Sequence, residues 1–302
     1  MSNTNSYRYR VVDVFTRQPL EGNALAVFPD TAGLDGATMQ KIARELNLSE
    51  TVFISPATRA DCAVSVRIFT PMSEMIFAGH PTIGASFVLL DEGIVPKAGE
   101  RFALEEKIGP VPIRVERGER PLIWLTTPPI HSGRTLDPKL CAQALGLSPD
   151  ELLGIAPQIL SAGNPTLYIA LQDQAAVDRA WFDMQGVRLL KLEGEPVCVF
   201  VFTPTPAGAY SRMFAPEHGV VEDPATGSST GPLATYMLQH GLAPRAAGTR
   251  FVSEQGTKMG RRSFLHVQLN GEGGADGIEV GGYVTPLVEA TMRFYSIQDN
   301  VP

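Results

Sequence analysis

The stretch Arg212 to Gly241, RMFAPEHGVVEDPATGSSTGPLATYMLQHG, decides the fold, because it runs from a strand through a polar, Gly-rich turn into an almost wholly apolar helix. It has a partner earlier in the chain. Arg67 to Gly93, RIFTPMSEMIFAGHPTIGASFVLLDEG, repeats the layout: Arg, apolar, Phe, any residue, Pro, then a turn, then Gly79 or Gly227, then a helix closed by Gly93 or Gly241. The two glycine-to-glycine spacings are equal, so the punctuation predicts helices of one length over residues 81–92 and 229–240. Repetition of a whole supersecondary unit implies an internal duplication. His80-Pro81-Thr82 and Ser228-Ser229-Thr230 offer capping hydroxyls or first-turn prolines, with Pro81 and Pro232 placed where a missing N–H does no harm. Both helices have little polar face and must be wrapped by other elements.

Those other elements are mostly short strands. Tyr7–Phe15, Leu25–Phe28, Thr51–Ile54, Ala63–Thr70, Phe102–Glu105, Val111–Val115 and Leu122–Thr126 read as strands of a first half, with a helix over Asp35–Leu46. Thr127-Pro128-Pro129 marks the boundary, which divides the chain into domains 1–128 and 129–302. The second half replays the first: Gly163-Asn164-Pro165 before Leu167–Leu171 echoes Gly22-Asn23-Ala24 before Leu25–Phe28, and strands at Phe251–Glu254 and Phe264–Leu269 mirror 102–105 and 111–115. Val197–Phe202, Ile278–Val280 and Val288–Tyr295 supply further strands, the last able to pack back on the first domain. The expected fold is α+β: two similar domains, each a curved, mostly antiparallel, barrel-like sheet around a central helix.

Composition narrows the function. At 302 residues the chain suits two domains. A net charge of −7, with no basic run longer than Arg261-Arg262, argues against nucleic acid as a partner. No apolar run approaches the roughly 20 residues that span a bilayer, and the opening residues lack a signal-like apolar segment, so no membrane partner and a cytoplasmic location are expected. Cys62, Cys141 and Cys198 lie far apart and read as buried, reduced thiols. The five histidines show no HExxH or paired ligand spacing, so neither a metal nor a cofactor is expected.

Helix N-termini attract anions, and if the two halves face each other, both converge on one cleft where a small carboxylate would bind. Gly79 and Gly227 lack Cβ atoms, so a ligand could approach that backbone closely; taken singly, each glycine also suits a tight turn. His80 sits at a helix end that disfavours a cation, Asp223 lies just before the second helix, and Glu50, between a helix and a buried strand, is placed for partial desolvation suited to proton exchange. Each has a plain alternative: a cap, an Asp-Pro turn and a solvated strand start.

Asn47-Leu48-Ser49-Glu50-Thr51, Arg67-Ile68-Phe69-Thr70-Pro71, Phe77-Ala78-Gly79-His80-Pro81 and Val221 to Ser228, VEDPATGS, closely resemble the PhzF-like phenazine-biosynthesis isomerase family, over Val11 to about Gly256. The resemblance implies the diaminopimelate-epimerase-like fold, a homodimer, and cofactor-independent acid–base isomerisation, with trans-2,3-dihydro-3-hydroxyanthranilate the substrate of the type member. By position it implies Glu50 as the proton shuttle, His80 and Asp223 as groups that orient and polarise the substrate, and Asn23, Gly79, Gly227 and Ser228 as substrate-binding. Ala24 stands where the family often has proline, and Met75-Ile76 where Leu-Pro is more usual. Three other readings compete: a two-thiol amino-acid racemase or epimerase, a serine hydrolase using the GxSxG match at residues 227–231, and a noncatalytic carboxylate-binding protein.

Overall fold

The computed structural model describes residues 4–95, 101–195 and 197–295. Its first half runs β1 (Thr4–Val14), β2 (Asn23–Phe28), α1 (Gly36–Leu46), β3 (Glu50–Pro56), β4 (Val64–Phe69), β5 (Glu74–Met75), α2 (Gly79–Asp91), β6 (Arg101–Glu106), β7 (Gly109–Glu116) and β8 (Leu122–Thr126). Then come β9 (His131–Thr135), α3 (Pro138–Ala144), β10 (Gln158–Ser161), β11 (Pro165–Ala170), α4 (Gln174–Arg179), α5 (Met184–Leu190), β12 (Cys198–Thr205) and β13 (Gly208–Ala215). β14 (Val220–Asp223), α6 (Gly227–Gln239), β15 (Arg250–Gln255), β16 (Ser263–Leu269), β17 (Ile278–Gly282) and β18 (Val284–Tyr295) complete the chain.

Pairing shows the duplication strand by strand. β2/β3 and β4/β6 are parallel, as are β11/β12 and β13/β15, while the remaining pairings are antiparallel. Parallel neighbours need a crossover, and each central helix provides one: α2 carries the chain from β4 to β6, and α6 from β13 to β15. β9, which follows β8, pairs with β10 within the second half; β18, which follows β17, crosses back to pair with β1 of the first. β8 and β17 pair directly, so the sheet is continuous between the halves.

Burial follows from alternation. Phe200 and Phe202 of β12 face α6 together with Leu233, Tyr236 and Met237, while Val199 and Val201 face a second apolar layer beneath α3, α4 and α5. Strand β12 is therefore buried on both sides, which explains its unbroken apolar run. In the first half Ile83, Val88 and Leu89 of α2 fill the sheet, and α1 covers the outer face at Phe28, Phe53 and Phe69. Burying each such side chain contributes roughly 1.5–3 kcal/mol.

Both central helices begin at their glycines, two residues earlier than the spacing predicts. They end as expected. Gly93 and Gly241 adopt φ of 71° and 68°, and the amides of Ile94 and Leu242 reach back to the carbonyls of Leu89 and Met237, closing matched C-terminal motifs. Pro232 departs from expectation: it lies inside α6, where it removes the N–H that would bond the Ser228 carbonyl. β9 and the helices α3 to α5 are additions that the repeat did not predict.

Gly79 and Gly227 meet back to back. A Cβ on Gly79 would lie 2.5 Å from the Gly227 carbonyl carbon and 2.6 Å from the Ser228 nitrogen. The room left by the missing side chains is thus taken by the opposite helix's backbone, not by a ligand. Gly79→Ala is expected to cost about 1–3 kcal/mol of unfolding free energy in urea titrations, since backbone atoms must move to admit a methyl group.

One turn further into α2, Thr82 Oγ1 lies 2.7 Å from the Ala78 carbonyl oxygen and 2.6 Å from Glu106 Oε1. A hydroxyl has one proton, so a protonated Glu106 satisfies both contacts. Burial pushes the Glu106 carboxyl up to about 8. A raised carboxyl stabilises the fold below its unfolded value near 4.5, and that contribution is lost as pH climbs through about 8. Replacing Glu106 by Gln should therefore help little at pH 5 and more at pH 8, by about 3 kcal/mol from 1.36 kcal/mol per unit; denaturant melts at the two values measure it.

Candidate active site

The site forms where the two central helices start. Their N-cap residues, Ala78 and Thr226, make no side-chain cap bond. The hydroxyls expected to cap instead turn back on carbonyls: Thr82 Oγ1 donates to Ala78 O at 2.7 Å, and Thr230 Oγ1 to Thr226 O at 3.0 Å. Neither helix has an acidic residue in its first turn. Two uncompensated positive helix ends consequently border one cavity of about 70 Å³, lined by Glu50, Gly79, His80, Asp223, Gly227 and Ser228.

Each side chain reaches the cavity from an element boundary. Asn47, left-handed at φ 50°, ends α1 and turns the chain so that Glu50 opens β3. His80 is the second residue of α2, and Asp223 the last of β14. Glu50 Oε2 stands 3.0 Å from His80 Nε2. Behind the cavity Asn23, 1% exposed, gathers three acceptors around Nδ2: Asp223 Oδ1 at 2.8 Å, Ala225 O at 3.1 Å and His80 Nδ1 at 3.3 Å. The two amide protons match the shorter contacts to Asp223 and Ala225, and the longer approach of His80 Nδ1 suits an imidazole with its lone pair on that nitrogen. His80 Nε2 and Glu50 Oε2 are near but not aligned as a hydrogen bond. Asn23 was expected to bind substrate; it does not line the cavity, and its contacts are with the protein.

Asp223 is held from both sides. Thr226 Oγ1 donates to Oδ2 at 2.5 Å, and Gln255, fully buried on β15, donates from Nε2 to the Asp223 carbonyl at 2.8 Å and to Thr226 Oγ1 at 2.9 Å. Desolvation, reinforced by the nearby Glu50 charge, pushes the Asp223 carboxyl up to about 6, partly opposed by His80 and by the bonds from Thr226 and Asn23.

Several residues of this cavity escaped the sequence reading, Asn164 and Cys198 among them. Asn164 lines it and donates to the Phe77 carbonyl at 3.1 Å. Cys198 also lines it, although distant from the motifs in sequence. Burial, with the charges of Asp223 and Glu50, pushes its thiol up to about 12, so it stays protonated and is a poor base. No second cysteine lines the cavity, which disposes of a two-thiol mechanism. The central serine of the GxSxG match, Ser229, is 1% exposed and its hydroxyl sits 2.9 Å from Thr166 Oγ1, without a histidine partner. That arrangement is not a hydrolase nucleophile. Among the described residues no group of three or more His, Cys, Asp or Glu is arranged to hold a metal ion, and no helix is long and apolar enough to cross a membrane.

The geometry has relatives. The sequence model for the family described as Phenazine biosynthesis-like protein matches residues 12–290. A trans-2,3-dihydro-3-hydroxyanthranilate isomerase of Pseudomonas aeruginosa is 33% identical over 279 residues, covering 91% of this chain and 95% of its own length. Among solved structures, a phenazine biosynthesis protein of the PhzF family from Bacillus anthracis superposes with a TM-score of 0.85 over 95% of this chain and 99% of that one, at 21% identity. A probable proline racemase from Agrobacterium radiobacter shares the fold at a TM-score of 0.66 and 16% identity, over 94% of this chain and 92% of that one.

Proposed function

Since the chain belongs to the phenazine biosynthesis-like protein family and is an isomerase, we propose that it moves a proton between two carbons of a small conjugated carboxylate, in the cleft between halves 1–128 and 129–302. The observation that carries this reading is the 3.0 Å approach of Glu50 Oε2 to His80 Nε2 in a cavity bordered by two helix starts. The substrate carboxylate lies against the first-turn amides of Gly79, His80, Gly227 and Ser228, where the helix ends favour negative charge. Glu50, as carboxylate, takes a proton from a carbon made acidic by conjugation. The C–H electron pair moves into the conjugated system, the double bond shifts, and the carboxyl returns the proton at another carbon. Atoms and charge balance without oxidant or cofactor.

His80 and Asp223 support the transfer. His80, with Nε2 3.0 Å from Glu50 Oε2 but not aligned on it as a hydrogen bond, is close enough to meet the proton that Glu50 carries once small side-chain rotations line the two up. Asp223, raised to about 6, exchanges its own proton near neutral pH and polarises a polar substituent on the substrate. The lining also includes the apolar side chains of Met75, Met213, Ala215 and Val220, which suit a flat carbon ring, with Thr70 and His218 among them. Met75 is one of the departures from the family pattern, so the ring's substituents need not match those of trans-2,3-dihydro-3-hydroxyanthranilate, although that compound is the first to test. Family likeness supports a homodimer, and free thiols at Cys62, Cys141 and Cys198 fit a cytoplasmic setting. Sedimentation velocity checks the dimer.

The decisive variant is Glu50→Gln, which keeps the shape and removes the base. The wild-type protein in deuterated water should build solvent deuterium into trans-2,3-dihydro-3-hydroxyanthranilate or its product. The variant should remain folded and lose the exchange by about 10³-fold, within the roughly 10²–10⁴ that positioned proton transfer contributes. Wild-type exchange persisting in the variant would remove Glu50 from the mechanism.

A further inference from the structure

Asn23 and Asn164 occupy matched places in the two copies. Each follows a glycine with positive φ, Gly22 at 69° and Gly163 at 106°, and each leads into the strand that begins the parallel pair, β2 or β11. Their side chains cross to the other half. Asn23 Nδ2 donates to the carbonyl of Ala225, two residues before Gly227, and Asn164 Nδ2 donates to the carbonyl of Phe77, two residues before Gly79; both bonds measure 3.1 Å. Each half thus fixes the start of the other half's central helix.

The surroundings are unequal. Asn23 also meets Asp223 and His80. The position that matches Asp223, four residues before the helix glycine, is Met75 in the other copy, and the one that matches His80 is Ser228. Among the described residues Asn164 makes a single side-chain bond, to Phe77 O. The turn that carries it packs against the same segment, since a Cβ on Gly163 would lie 3.2 Å from Ile108 Cδ1 and 3.8 Å from Phe77 Cδ1.

We infer that Asn164 is a positioning residue of the isomerase, whose one bond across the cleft holds the Phe77-Ala78 peptide and thereby aims the first-turn amides of α2 at the substrate carboxylate. It rests on the site reading above for the carboxylate. Asn23 shares the bracing but also orders the proton-transfer groups, so the two asparagines divide their effects: Asn164 acts on carboxylate binding, and Asn23 on turnover and its pH dependence.

Hydrogen–deuterium exchange of the full-length protein tests the brace without reference to activity. Asn164→Leu, similar in size but without a donor, should speed exchange of the amides in residues 77–82 by roughly 5- to 10-fold, the scale of one lost hydrogen bond, and leave 225–230 at the wild-type rate. Asn23→Leu should do the reverse. Asn164→Ser, which keeps a polar group but loses the reach, is the second variant if the first does not fold. Benzoate affinity by calorimetry should weaken by a similar factor in the Asn164 variants. With trans-2,3-dihydro-3-hydroxyanthranilate turning over, KM should rise while kcat and the pH profile hold, whereas Asn23→Leu should lower kcat and shift the profile. Wild-type exchange at 77–82 in a folded Asn164 variant, or equal loosening at both helix starts, would overturn the inference. If exchange changes as expected but wild-type protein neither binds benzoate nor turns over the probe, the brace stands and the carboxylate reading fails.

Discussion

The backbone contact between Gly79 and Gly227 is the constraint on which the molecule depends. A methyl group at Gly79 would lie 2.5 Å from backbone atoms of the opposite helix, so the two helix starts can meet only if that position lacks a Cβ. Their meeting brings two positive ends together, without a side-chain cap or a first-turn acid on either helix to offset them. Such a place is unfavourable to leave empty of negative charge. Glu50 and Asp223 lie beside it, and it is the place proposed for the substrate carboxylate.

Symmetry of the scaffold and asymmetry of the site then fit together. Register pairs Leu25 with Glu50 in one copy and Thr166 with Cys198 in the other, so Cys198 occupies the place that corresponds to Glu50. The duplicated positions hold a carboxyl against a thiol, His80 against Ser228, and Asp223 against Met75. At these three matched pairs one member therefore carries an acid–base group, while its counterpart is a protonated thiol, a serine or a methionine. A mechanism with opposed bases would need comparable groups on both sides. A single shuttle needs only one, and this distribution matches it.

Much of this was legible from residue spacing, because punctuation by glycine and alternation of apolar residues are local signals. The equal intervals from Gly79 to Gly93 and Gly227 to Gly241 identified both central helices, and the Gly22-Asn23 echo at Gly163-Asn164 placed the two asparagines at matched strand entrances, without giving Asn164 a role. What the echo could not give was direction: Asn23 sits behind the lining residues His80 and Asp223, held there by Asp223 and Ala225, 200 and 202 residues later. The caps were misread for a similar reason, since Thr82 and Thr230 find carbonyls one turn back instead of amides. β9 escaped because all five of its residues are exposed and show no alternation. Cys198 joins the cavity only through the parallel pairing of β11 with β12, a contact that no short motif encodes.

A crystal soaked with anthranilate, a flat aromatic carboxylate, puts the central claim to its most direct test. The account predicts the carboxylate against the amides of Gly79, His80, Gly227 and Ser228, with the ring edge facing Glu50 and the opposite side on Met75 and Met213. Density with the carboxylate turned away from both helix starts, or a ring beyond reach of Glu50, would contradict it.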